Sequence, residues 1–325
     1  MPIRPLRTLL GTLLLGSSLL TSSAAMADWP DKPITIVVSD QAGGPGDIVA
    51  RALGQQLSAS LKQSVVVDNR PGAFGTLGLR AVAQAKPDGH TLGIVFMPHT
   101  VSQTLFKGTP YQLRSDFTPI AKMADLFNVL VVPKASPARQ PQELAQLMKA
   151  RPGQMAFASG STGSPAHLAG ELFNRVAGTQ SQHVPFKGPV DALSNLVGER
   201  VDYMFLSLPV AMPMIKADKI VPLAVTSNRS APALPKVPTM MQAGYADFAV
   251  LDWMGLLGPA KMPPEVVARL GEEIRKIVSS PTFRERLETV GMDAAYANGG
   301  ELGALIDREI SKWERFIAQA GITLQ

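Results

Sequence analysis

The sequence contains no cysteine. Disulfides, thiolate nucleophiles and cysteine-based metal sites are therefore excluded. Histidine is scarce, with only His90, His99, His167 and His183 in 325 residues. None of these stands in H-x3-H or HExxH spacing, so the sequence holds no zinc pattern, and neither a metal nor another cofactor is expected. Charged residues make up 18% of the chain, and no block of five or more Lys/Arg occurs. A basic stripe for nucleic acid is thus missing, despite a formal net charge of +5. No apolar run reaches the ~20 residues that a membrane span requires. After residue 27 there is no internal repeat and no low-complexity tract.

What is present begins with the N-terminus. Arg4 and Arg7 precede a short apolar run at 8–20 (TLLGTLLLGSSLL), and Ala25-Met26-Ala27 follows as an A-x-A signature. This predicts a signal peptide over 1–27, cleaved after Ala27. A lipoprotein would need a cysteine at the cleavage point. Loss of two arginines and no acid lowers the net charge to +3. Export without cysteine fits a bacterial periplasm.

The remainder, in a chain that is 46% apolar, reads as a folded α/β protein. Short apolar runs bounded by turn residues predict strands at Ile34–Val38 and at 65–67, 92–96, 129–132, 155–158, 203–206 and 223–225. Apolar spacing predicts helices at 48–61, Pro165–Ala177, 190–197, Pro264–Ser279 and 301–320. Ser164-Pro165 is a start signal, with Ser at N-cap and Pro at N1. Two proline-rich stretches, PKASPARQP (133–141) and APALPKVP (231–238), bracket a central segment. They suggest a domain of 28–128 plus 252–325, with a second domain, 129–251, inserted in it. The chain would cross at about 127–132 and return at about 250–257. Two crossings make a hinge and a cleft, where small ligands bind.

Three glycine-bearing loops precede helices: SDQAGGPGD (39–47), SGSTGSPAH (159–167) and HVPFKGP (183–189). A helix N-terminus carries unsatisfied N–H groups and partial positive charge, and glycine lets an anion approach the backbone. Nucleotide binding fits poorly, because neither G-x-G-x-x-G nor GxxxxGK[ST] is present. Ser159-Gly160-Ser161-Thr162-Gly163 resembles a G-x-S-x-G nucleophile elbow with its first glycine replaced. Between Ser161 and His183, however, the only acid is Glu171, inside the helix that leaves the loop, so a hydrolase is a distant alternative. His99 and Thr100 follow a strand's carboxyl end, where open α/β sheets place ligands. His167 reads as a cap or a cleft-lining residue. Lys187 either pairs with an anion or is solvated.

Together these residues resemble the Bug family, the extracytoplasmic solute receptors of tripartite tricarboxylate transporters. The resemblance runs from Trp29-Pro30-Asp31-Lys32-Pro33-Ile34 through Gly43-Gly44 with Asp47, Ala50 and Arg51, then VVVDNRPG (65–72) and KPDGHTL (86–92). It continues through HLAGELF (167–173), HVPFKG (183–188), LAVTS (223–227) and LPKVPT (234–239), and closes with Lys312-Trp313 and Ala320-Gly321-Ile322. It implies a type II periplasmic binding protein: two α/β domains, a hinge and an interdomain cleft, without catalysis. The implied ligand is a small carboxylate-bearing solute, held by backbone amides and ordered waters of two loops. The implied partner is a two-component membrane permease, or a sensor kinase in the sensing members. A monomer is expected.

The matching ligand loops are Asp40, Gln41, Ala42, Gly43 and Gly44 with Asp47, and Ser159, Gly160, Ser161, Thr162, Gly163 and Ser164. The chain departs from the family where it matters. The first loop of the family usually reads close to P-F/Y-P-P-G-G; here Ser39, Asp40, Gln41 and Ala42 stand in those places. Phe74 stands where glycine is usual. An aspartate at 4 Å repels a carboxylate by roughly 4 kcal/mol at an effective dielectric of about 20, before screening. Two readings of Asp40 stand: it meets a cationic or hydroxyl group of the same ligand, as in an amino acid, or it turns out to solvent. Asp47 reads as a helix cap or first-turn residue, and Arg70 as fixing the Pro71-Gly72 turn.

Overall fold

A computed structural model describes residues 29–72, 75–106, 108–246 and 248–322. The expected signal peptide with its cleavage after Ala27, and Phe74, lie outside the described residues. The chain runs β1 (Ile34–Val38), α1 (Pro45–Leu61), β2 (Val65–Asn69), α2 (Thr76–Ala83), β3 (Thr91–Phe96), α3 (Met97–Leu105) and β4 (Phe117–Leu126). Then come β5 (Asn128–Pro133), α4 (Pro141–Ala150), β6 (Ala156–Ser159), α5 (Pro165–Ala177), β7 (Gln182–Pro185), α6 (Pro189–Val197), β8 (Tyr203–Ser207), α7 (Leu208–Lys216) and β9 (Ile220–Val225). The last elements are β10 (Asp252–Pro259), α8 (Pro264–Ser279), α9 (Pro281–Glu288), β11 (Met292–Asn298) and α10 (Gly299–Ala320).

These form a mixed α/β structure with two sheets. Sheet A has the order β11-β4-β10-β3-β1-β2, with β2, β1 and β3 parallel and β10, β4 and β11 successively antiparallel. Sheet B has the order β7-β6-β8-β5-β9, with β7, β6 and β8 parallel and β5 antiparallel to both neighbours. Parallel strands covered on both faces need apolar side chains on both, which is why β1 reads ITIVV and is almost wholly buried. Helix α1 buries Val49, Ala50, Leu53, Leu57 and Leu61 along one face and exposes Arg51 and Gln55. Each such Leu contributes about 1.5–3 kcal/mol of transfer free energy. Helix α10 opens with a reciprocal cap: Asn298 Oδ1 accepts from the Glu301 amide at 3.0 Å, and Glu301 Oε2 accepts from the Asn298 amide at 2.8 Å. It ends at Gly321, in the left-handed region.

One helix starts earlier than expected, and one was not expected. Helix α1 starts at Pro45, three residues before the expected start, because Gly44 caps it in extended conformation and Pro45 supplies the fixed φ of a first helical residue. His99 and Thr100 follow the carboxyl end of β3 in a helix that the apolar spacing does not predict. Helix α3 begins at Met97, directly after β3, and both residues lie in its first turns.

Among the described residues the chain passes between the sheets twice: at Phe127, from β4 to β5, and across 226–251, from β9 to β10. Thr226, fully buried, ties the two passages. Its amide donates to Asn128 O at 2.9 Å, its carbonyl accepts from the Val250 amide at 2.9 Å, and its hydroxyl donates to Val250 O at 2.5 Å. Beside it Arg229 donates to Asp125 on β4 (2.9 Å) and Asp293 on β11 (2.7 Å), with its guanidinium 4.8 Å from the Phe127 ring centroid. This ion pair joins the end of sheet B to sheet A around a buried Asp125 carboxylate.

Candidate ligand-binding site

Residues 39–47 leave β1 and enter α1; residues 159–167 leave β6 and enter α5. The two loops have one hydrogen-bonded frame. The Gly43 amide donates to Asp47 Oδ2 at 2.9 Å, and the Gly163 amide donates to His167 Nδ1 at 3.0 Å. The Gly44 amide donates to Gln41 O at 2.9 Å, and the Ser164 amide donates to Ser161 O at 3.3 Å. Gly43 and Gly163 take φ of 83° and 78°, where a side chain is strained. Pro45 and Pro165 each open the helix that follows. Loop 1 belongs to sheet A and loop 2 to sheet B, and both face one cavity of about 500 Å³.

The loops differ at their second position. Asp40 Oδ2 accepts from the Gly46 amide at 2.7 Å, in the first turn of α1. Gly160 occupies the matching place in loop 2, so no side chain there reaches the first turn of α5. A Cβ on Gly160 would lie 2.8 Å from Pro189 N and 3.0 Å from Gly188 C, both backbone atoms. The close approach of the α6 entry thus requires glycine. At its N-cap, Ser164 Oγ accepts from the His167 amide at 3.3 Å.

Electrostatics follow burial. Burial pushes the Asp40 carboxyl up, the Gly46 amide opposes this, and the Asp47 charge adds to it. Asp252, the first residue of β10, lines the same cavity and is 8% exposed. Burial pushes its carboxyl up to about 7, against the Trp253 amide that donates to Oδ1 at 3.0 Å; the Asp40 charge raises it further. Burial alone would raise Asp47, but hydrogen bonds from Arg51 and the Gly43 amide outweigh it and hold the carboxyl below the usual range. Among the described residues, the cavity lining includes two acids and no Lys, Arg or His.

Of the residues expected at the site, Asp40, Gln41, Gly160, Ser161, Gly163 and Ser164 line the cavity. Ala42, Gly43, Gly44 and Thr162 belong to the two loops but are not part of that lining. Asp47 and His167 are each the third residue of their helix and brace a loop glycine. His99 is fully buried: Nδ1 accepts from the Phe96 amide at 3.0 Å, the ring stacks on Phe96, and burial pushes its pKa down to about 4. Thr100 is buried beside it and donates to Met97 O at 2.6 Å. Lys187 is exposed and lies off the lining, although its neighbours Gly188 and Pro189 are part of it.

Sequence reasoning missed Asp252, Asn128 and the apolar wall of Phe96, Val101, Met204 and Met254. It also missed a serine–histidine contact, Ser159 Oγ to His183 Nε2 at 2.6 Å. Ser159 is fully buried and is not part of the cavity lining, and His183 stacks on His167 at 3.8 Å. Burial, with the adjacent His167, lowers His183 to about 4. The pair props loop 2 from behind, and Ser161, which does line the cavity, has no such partner among the described contacts.

Residues 49–322 match the model of the tripartite tricarboxylate transporter family receptor. A protein of Pseudomonas sp. (strain P51), the UPF0065 protein in the tcbD-tcbE intergenic region, is 37% identical over 96% of this chain and 94% of its own. Among solved structures, R. palustris Rpa4515 with adipate has a TM-score of 0.81 at 30% identity, covering 91% of this chain and 99% of that one. MatC (Rpa3494) from Rhodopseudomonas palustris with bound malate has a TM-score of 0.75 at 31% identity, covering 89% and 100%. No described helix is long and apolar enough to cross a membrane.

Proposed function

The chain belongs to the tripartite tricarboxylate transporter family of receptors, and from that membership we propose that it captures a small carboxylate-bearing solute in the periplasm for a two-component membrane permease. Residues 28–128 plus 252–325 move against 129–251 about the Phe127 and 226–251 passages, after cleavage behind Ala27. One observation carries this reading: two helix N-termini, α1 from the sheet A side and α5 from the sheet B side, face a single cavity. A ligand that touches both sides favours the closed state by its differential affinity for it. The carboxylate lies on loop 2, where the first turn of α5 presents its positive dipole and Gly160 leaves the Ala166 amide clear of the side chain that fills the matching place in loop 1, only the His167 amide being taken, by Ser164 Oγ. The adipate and malate in the two Rhodopseudomonas structures are small carboxylates of the same kind.

Absence of cysteine makes the test simple. Leu77 on α2, against sheet A, and Val190 on α6, against sheet B, are 48% and 66% exposed. The Leu77→Cys/Val190→Cys pair takes two spin labels and no others. The label separation is expected to contract and sharpen when a carboxylate panel is added at saturating concentration. In parallel, a ligand at 100 times its Kd adds about 2.7 kcal/mol to unfolding stability. A carboxylate that stabilises the protein without changing the label distance defeats the closure mechanism. No stabilisation by any carboxylate, with or without an amine, defeats the receptor reading.

A further inference from the structure

Three features of the cavity point to one ligand chemistry. The first is the asymmetry of the loops. The protein's own carboxylate, Asp40, occupies the Gly46 amide in the first turn of α1, whereas Gly160 leaves the matching Ala166 amide of α5 clear. An incoming carboxylate is therefore favoured on loop 2 and opposed on loop 1. The second is Asp252, which brings a second carboxyl to the same cavity from the start of β10. Its charged surroundings are acidic: Asp40, and beyond it Glu309 on α10. The third is Asn128, 5% exposed, which lines the cavity and whose Nδ2 has no hydrogen-bond partner. A buried amide donor left unpaired costs about 1–3 kcal/mol, so a ligand acceptor is its natural complement. The remaining wall is largely apolar, with Phe96, Val101, Leu105, Met204 and Met254.

We propose that this cavity selects a zwitterion with an apolar body, in chemical class an apolar α-amino acid. Its ammonium is shared by Asp40 and Asp252, and its carboxylate lies on loop 2 within reach of the Asn128 amide. The inference rests on the receptor reading above and narrows it. A dicarboxylate of the adipate kind would set its second anion against two acids, whereas an ammonium can donate to both.

The test uses ligand-stripped mature protein and isothermal calorimetry with matched probes. These are phenylalanine and leucine, their amine-free counterparts 3-phenylpropanoate and 4-methylpentanoate, the carboxylate-free phenethylamine, and adipate. At least one amino acid is expected to bind tenfold or more tightly than its amine-free counterpart. Asp40→Asn and Asp252→Asn keep an acceptor for the Gly46 and Trp253 amides, so the fold is retained, as circular dichroism would verify. Each should cut amino-acid affinity at least tenfold and improve that of the amine-free acids. If the amine-free acids or adipate bind as well as the amino acids, and neither variant moves the ratio, the inference falls and the carboxylate receptor stands. If phenethylamine binds as tightly as phenylalanine, the carboxylate reading itself falls. Absence of binding by every amine-bearing probe overturns the inference.

Discussion

Residues 39–47 and 159–167 turn through the same frame, with a glycine amide braced by the third residue of the helix and proline at the first. One mouth holds Asp40, while the other is closed to any side chain by the backbone of Gly188 and Pro189. Because the frame is shared, the two loops differ in what fills it. Loop 1 has its positive helix end met from within by a carboxylate, and loop 2 has glycine in the matching place. The sides they belong to also titrate in opposite senses. Asp252, on the loop 1 side, is raised by burial, and His183, behind loop 2, is lowered by burial and by His167.

That opposition gives the largest expected effect. Folded protein keeps Asp252 protonated up to about pH 7, whereas the unfolded chain releases that proton near 3.8. Stability contributed by this group is thus present at low pH and lost as pH rises to about 7. Asp252→Asn should stabilise the ligand-free protein by up to about 4 kcal/mol above pH 7, fading to little near pH 4. His183 works the other way. Its folded pKa of about 4 lies below the usual 6.5, so stability falls as pH drops between the two values. His183→Gln should remove about 1–2 kcal/mol of that acid sensitivity, because solvent screens the partly exposed ring. Urea unfolding at pH 4.5 and 8 separates the two. Equal shifts at both pH values for either variant would contradict the assigned titration.

A side chain at Gly160 tests the closed mouth directly. Gly160→Ala puts a methyl against backbone atoms of Gly188 and Pro189, which have no rotamer to give. Overpacking of this kind costs about 1–3 kcal/mol. Weaker carboxylate binding should accompany it, because the α6 entry and loop 2 form one wall. Unchanged stability in denaturant titration would mean that the contact yields, and that glycine is dispensable there.

Much of the frame could be read from residue types alone, and much of the site could not. Ser164-Pro165 marks the start of α5, and the 3.6-residue apolar spacing of Pro264–Ser279 marks α8 to the residue. Strand β4 escaped notice because Pro119, Lys122 and Asp125 interrupt its apolar pattern, and β10 because two glycines and a terminal proline do the same. Their partners across the sheet, not their own composition, make them strands. The likeness of the two loops was equally hidden. Only Ser, Gly and Pro recur at matching positions, at 39, 43 and 45 and at 159, 163 and 165, and Asp47 and His167 brace by different chemistry. Asp252 and Asn128 sit within apolar stretches at the passages between sheets, far in sequence from Asp40. The apolar wall is made of the same residue types as the core, so nothing local distinguishes Phe96 or Met204 from packing.

The smallest effect is the most specific to the shared frame. Loop 2 caps α5 with Ser164, but loop 1 caps α1 with Gly44. A Cβ on Gly44 would meet Gln41 O at 3.0 Å, Asp40 Cβ at 3.1 Å and Asp40 Oδ2 at 3.2 Å. Loop 2 tolerates the equivalent of the first contact, since Ser164 sits over Ser161 O and its hydroxyl donates there at 2.7 Å. The obstacle peculiar to loop 1 is therefore Asp40. Gly44→Ser alone should give no gain and cost up to about 1 kcal/mol, because the added group crowds a carboxylate already held by Gly46. In an Asp40→Gly background the same change should turn neutral or favourable, its hydroxyl accepting from the Asp47 amide as Ser164 accepts from that of His167. The coupling in this double-mutant cycle is expected at about 0.5–1 kcal/mol. Additive effects would mean that the two mouths are not variants of one frame, and that Asp40 owes its place to something other than the turn it fills.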